Sequence, residues 1–99
     1  MATGTRDTDE IQLIRSCLRQ RFPEVSAYRY NLASVRIRVI DPAFQGKSKE
    51  ERNALVRPLL AQLPERTRRD ISVLLLLAPD EVRDSLMNAE FEDPTPSML

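Results

Sequence analysis

Apolar residues recur at helical spacing near the start of the chain. Ile11, Ile14, Cys17 and Leu18 fall on one stripe, with polar residues between them. The spacing predicts a helix capped by Asp7 or Thr8. If Asp7 is the cap, Glu10 three residues on completes a capping box. Phe22-Pro23 stops the helix, because the residue before proline disfavours helical backbone. The period then drops to two. Val35, Ile37 and Val39 alternate with Arg36 and Arg38, the pattern of a strand with one buried and one wet face. Ser26 to Tyr30 reads as its hairpin partner, with Asn31 in the turn.

Asp41-Pro42 ends that strand. A second helix is expected from about Ser48 to Leu63, with Leu55, Val56, Leu59, Leu60 and Leu63 as its buried stripe. Pro58 lies inside it and lacks the amide that would bond to Ala54, which predicts a kink or break. "PERTRRD" reads as a basic connector. "ISVLLLL", Ile71 to Leu77, is apolar on both faces and of strand length. Pro79 then opens a last helix, with Asp80 and Glu81 suited to its first turn. The predicted order is α-β-β-α-β-α. The crossover from Val35 to Leu77 makes those two strands parallel, and the hairpin adds an antiparallel edge. The expected fold is α/β (α+β), a three-stranded mixed sheet with helices on one face. Residues 1–8 are expected to be a disordered tail, 9–91 a single domain and 92–99 an extended tail.

Composition narrows the function. Fifteen basic residues balance fifteen acidic ones, so no global field favours nucleic acid or an anionic membrane. Apolar residues make up 41 %, enough to form a core. No segment has the apolar core of a signal peptide or the length of a membrane span, so a cytoplasmic protein is expected. One cysteine permits no internal disulfide, and without histidine there is no set of soft ligands for zinc or iron. Cys17, on the apolar stripe, reads as core filler. The carboxylates show no calcium-loop spacing. No activated nucleophile pair is visible, so no catalytic residue is assigned.

Gly46-Lys47-Ser48 raises the possibility of a phosphate loop. Such a loop needs a first glycine five positions before the second, and here Asp41 stands there, followed by Pro42. A carboxylate repels phosphate, and proline has no amide to donate. The simpler reading makes Gly46 a turn residue and Ser48 a helix cap with Glu51 as its box partner. Lys47 remains a candidate for meeting an anion at the helix end.

The segment "DPAFQGKSKEERNALV", followed by an apolar strand and "APDE", resembles the BolA family. Phe44, Gly46, Lys47, Ser48, Arg52 and Val56 carry the resemblance, which covers roughly residues 10–84. It implies a fold similar to class II KH domains and a non-enzymatic adaptor. Such proteins pair with monothiol glutaredoxins and share a [2Fe-2S] cluster, and some are tied to transcription and stress response. The family's histidine ligand falls at Asp70 in this chain, and the turn "NLAS" offers neither His nor Cys. An aspartate oxygen is a poor ligand for iron–sulfur iron. The expected function is therefore an interaction module without cluster ligation and without another cofactor.

Two surfaces are candidates. One is an arginine set: Arg29, Arg36 and Arg38 in the hairpin, and Arg66, Arg68 and Arg69 before the last strand. With Tyr28 and Tyr30 these arginines could bind nucleic acid weakly, although alternation puts Arg29 opposite both tyrosines. A KH domain's Gly-x-x-Gly loop is impossible with only two glycines so far apart. The other is apolar. Either Ile71, Val73, Leu75 and Leu77 or Ser72, Leu74 and Leu76 must face out, and Leu74 and Leu76 are taken as the exposed pair. Such a face needs a cover. A protein partner, a second copy in a homodimer, or the chain's own tail with Met98 and Leu99 would supply it.

Overall fold

The computed structural model describes residues 9–96. The expected cap at Asp7 or Thr8, the tail over residues 1–8 and the apolar end at Met98 and Leu99 lie outside them. The first helix, α1, spans Asp9–Leu18 and buries Ile11, Ile14, Cys17 and Leu18. Strand β1 spans Glu24–Asn31 and β2 spans Ser34–Ile40. They pair antiparallel, with Val25 opposite Val39 and Tyr28 opposite Arg36. Leu32 and Ala33 form the turn, where the Asn31 carboxamide oxygen accepts from the Ala33 amide at 2.8 Å. This is an Asx turn.

Helix α2 spans Lys49–Leu60, and Ser48 is its cap. The Ser48 hydroxyl accepts from the Glu51 amide at 3.1 Å, and the Glu51 carboxylate accepts from the Ser48 amide at 2.8 Å. The expected capping box is therefore closed. Gly46 has φ of 72°, in the left-handed region, where a side chain would strain the backbone. Pro58 does not break the helix. It sits in the last turn, where few bonds remain to be lost, and α2 ends at Leu60 rather than Leu63. The basic connector is in fact a short helix, α3, over Glu65–Asp70, with Thr67 buried.

Strand β3 spans Ile71–Leu77 and pairs parallel with β2, giving the order β1-β2-β3. Val25, Ala27, Val35, Ile37, Val39, Leu74 and Leu76 share the face that meets α1 and α2 in one hydrophobic cluster. Phe22 and Phe44 stack inside it at 5.4 Å. Leu74 and Leu76 therefore point into the core and not outwards; Leu76 is buried. Val73 and Leu75 take the other face, because a register shift after Val35 sets the phase of β3.

A further departure concerns the last helix. Pro79–Glu81 forms only a 3-10 turn, and α4 begins later, at Leu86–Glu92, capped by Ser85. It crosses the face opposite α1 and α2, so the helices are not confined to one side. The Tyr28 hydroxyl donates to the Phe91 carbonyl at 2.7 Å, and the two rings lie 4.8 Å apart. Arg36 pairs with Glu90 at 2.9 Å, and Arg38 pairs with Glu92 and donates to Asn88 at 2.8 Å. Arg38 also lies over the Phe91 ring, 4.8 Å from its centroid. Among the described residues no helix is long and apolar enough to cross a membrane.

Arg52 joins α2 to the end of β3. It grips both oxygens of Glu81 at 2.7 and 2.8 Å and donates to the Leu76 carbonyl at 2.9 Å. Glu81 also accepts from the Ala78 amide at 2.9 Å. The guanidinium, then that amide, hold the Glu81 carboxyl down at about 2, below its ordinary 4.5. A depressed folded value means that the stabilisation is complete above about pH 4.5 and is lost as pH falls towards about 2. Glu81→Gln is expected to flatten this part of the acid-unfolding curve, read by circular dichroism. An unchanged curve would show that the clamp contributes nothing. Ser48→Ala is expected to cost about 1 kcal/mol in urea unfolding. Phe91→Ala is expected to loosen α4 by about 3 kcal/mol. Hydrogen exchange would then rise across residues 86–92 while β2 stays protected.

Candidate functional site

Asp70 ends α3 where β3 begins, and the Arg29 side chain reaches it from β1. Arg29 donates to Asp70 at 3.1 Å, pairs with Glu10 of α1, and donates to the Leu32 carbonyl at 3.0 Å. The Arg29 guanidinium is held above its ordinary value, first by Glu10 and then by Asp70, against the cost of burial. The position where the resemblance puts a histidine ligand is thus part of a carboxylate–arginine–carboxylate group. The cleft beside it is also lined by Leu13, Leu32, Arg66 and Thr67. A carboxylate already shared with a fixed cation has little to give to iron, and the hairpin turn offers no sulfur or imidazole. The donor set does not fit a [2Fe-2S] cluster.

The six candidate arginines separate into three groups. Arg29 lies on the α1 side with Glu10 and Asp70. Arg36 and Arg38 lie on the other face beneath α4. Arg36 stacks on the Tyr30 ring at 3.6 Å and donates to the Tyr28 hydroxyl at 3.4 Å. Glu90 has its carboxyl lowered, foremost by the Thr95 amide and next by Arg36. Arg66, Arg68 and Arg69 stay exposed on α3. Tyr28 and Tyr30 do come together with Arg36 and Arg38, though not with Arg29, but α4 and its carboxylates have taken the place a nucleic acid would fill.

Lys47 is exposed in the turn before α2. The amide that Ser48 offers and the amide of Glu51 are both used in the capping box, so the helix start is already partly satisfied. Cys17 is buried and donates to the Leu59 carbonyl at 3.0 Å. Burial pushes its thiol up, away from the reactive thiolate. Among the described residues no three His, Cys, Asp or Glu side chains gather to hold a metal.

One feature was missed in the sequence. β3 is the outer strand of the sheet, and a groove runs along it from Ser72 to Leu77. Lys47, Lys49, Arg52 and Asn53 form one wall, and Met87 of α4 forms the other. The absence of any proline or charge in "ISVLLLL" was the available signal, since edge strands normally carry one.

A scan of protein-family models finds no match, and a search of curated proteins finds none. Among solved structures, the BolA domain of SufE1 from Arabidopsis thaliana superposes with a TM-score of 0.57 at 22% identity. The match covers 76% of this chain and 98% of that one. The chain has a BolA-like fold.

Proposed function

We propose that the chain is a non-catalytic interaction module, acting through contact with a protein partner and ligating no iron–sulfur cluster. The observation that carries this reading is the apolar outer edge of β3, open to a groove and flanked by lysines. An edge of that kind is a ready template for another polypeptide. The engagement of Asp70 by Arg29 supports the absence of cluster ligation. It also weakens a monothiol glutaredoxin as partner where the pairing depends on a shared cluster. The absence of histidine and the buried thiol of Cys17 support a non-enzymatic role. Nucleic-acid binding through Arg36 and Arg38 has less support, because Glu90 and Glu92 already neutralise both. A second copy of the chain is the alternative partner, and the cytoplasm is the proposed setting.

The test mixes the purified chain anaerobically with a monothiol glutaredoxin, ferrous iron and sulfide, and resolves the products by size. Cluster absorbance is expected to travel without this chain. In parallel, labelled single-stranded DNA and RNA are expected to show no salt-sensitive binding at micromolar protein. Comigration of colour with the chain, or binding that fades with salt, would overturn the reading.

A further inference from the structure

In the parallel β2–β3 ladder, alternate residues of β3 turn their backbone groups toward β2. The Asp41 amide donates to the Leu77 carbonyl at 3.0 Å, which fixes the phase: Leu75 and Leu77 bond inwards. Leu74 and Leu76 therefore direct their amides and carbonyls to the open side. One of these four groups is spoken for, since Arg52 caps the Leu76 carbonyl at 2.9 Å. The edge is thus left with both backbone groups of Leu74 and the Leu76 amide, and Arg52 marks where pairing must stop. The groove beside them is apolar along its floor, with Met87 on the α4 side.

Charge identifies what fits. Lys47 and Lys49 line the groove, and among the described residues neither makes an ion pair. Arg52 is neutralised by Glu81, and among the described residues no acidic side chain lines the groove. Glu51, next along α2, is turned back to Ser48 and feels the charge of Lys47 only as its weakest influence. We infer that the β3 edge accepts an extended acidic segment of a partner protein as a fourth strand. This rests on the interaction-module reading and names the chemistry of its partner. Main-chain bonds to Leu74 and Leu76 give affinity, Val73 and Leu75 pack alternate side chains, and the two lysines select acidic flanks. A second copy fits less well. Antiparallel pairing of two β3 strands would bring two Lys47–Lys49 pairs to one strand pair, a like-charge cost. Nucleic acid also fits less well, because among the described residues no aromatic ring lines the groove for stacking. The described part of the chain's own tail, residues 93–96, runs the other way, towards Tyr30 on β1, whose hydroxyl bonds the Thr95 carbonyl.

The test titrates the isotope-labelled chain with a capped decapeptide, its centre alternating valine and threonine and each end carrying two aspartates. Amide shifts are expected along residues 72–77, with exchange of the Leu74 amide slowed at least tenfold. The same peptide ending in lysines is expected to bind at least tenfold more weakly. The exposed double substitution Lys47→Glu with Lys49→Glu is expected to reverse that order. A decapeptide N-methylated at alternate backbone positions is expected to lose binding. Silence of residues 72–77 at millimolar peptide, or indifference to the charge reversal, would overturn the proposal. If sedimentation instead shows a dimer protected at these amides, this proposal falls and the interaction-module reading stands. If a ten-nucleotide single-stranded DNA displaces the peptide from these amides, both fall.

Discussion

The alternation of Val35, Ile37 and Val39 with Arg36 and Arg38 commits β2, the central strand, to two unlike neighbours. The valines and isoleucine are wholly buried against α1 and α2. The arginines cannot enter such a core, and on the other face they meet carboxylates and the Phe91 ring from α4 and the Tyr30 ring from β1. Their stems cover apolar surface while the guanidinium groups meet Glu90, Glu92 and the rings of Tyr30 and Phe91. The ion pairs alone are worth little where Glu92 stays exposed. Their geometry is what orients α4, and Phe91 and Tyr28 then supply the apolar contact that holds it. A face that would otherwise be open is covered by α4 above β1 and β2, while Val73 and Leu75 of β3 remain only half-buried.

Much of this was legible in the residues. The period-two run from Val35 to Val39 and the stripe from Ile11 to Leu18 each fixed an element and its buried side. The Ser48–Glu51 pair fixed the start of α2. What was not legible has a common cause, the loss of contrast. In "ISVLLLL" both parities are apolar, so nothing local says whether Leu74 or Leu75 faces the helices; the register with β2 decides it. In "ERTRRD" only Thr67 is buried, so a single short turn of helix carries no apolar stripe. In α4 the signal was present but non-local: Glu90 and Glu92 match Arg36 and Arg38, more than fifty positions away in the chain. Whether Tyr28 and Tyr30 share a face with the arginines was open in the sequence; they share it with Arg36 and Arg38 and not with Arg29, and the occupant of that face, α4, was not foreseen.

The motif behind the family resemblance does structural work at almost every position. Phe44 stacks on Phe22 in the core, Gly46 takes the left-handed turn, Ser48 caps α2, Arg52 clamps Glu81 of "APDE", and Val56 is fully buried. Among the described residues none of these shares a hydrogen bond or ion pair with Asp70, whose partner is Arg29. The residues that specify the fold and Asp70, where the resemblance puts a ligand, therefore make separate sets of polar contacts. The BolA-like architecture thus does not depend on Asp70, the position where the resemblance puts a ligand and where this chain has a carboxylate tied to Arg29.

The clamp at Arg52 links the two halves of the argument. By holding Glu81 it pins the exit of β3 to the start of α2, which brings Lys47 and Lys49 alongside the strand. By capping the Leu76 carbonyl it also shortens the exposed ladder. An apolar edge left open over its whole length would pair with any β-strand it met. One left open over two residues, bounded by a guanidinium and flanked by lysines, gains little from backbone bonds alone and must draw selectivity from charge. The residue that stabilises the corner of the fold thus sets how much of the edge a partner can use.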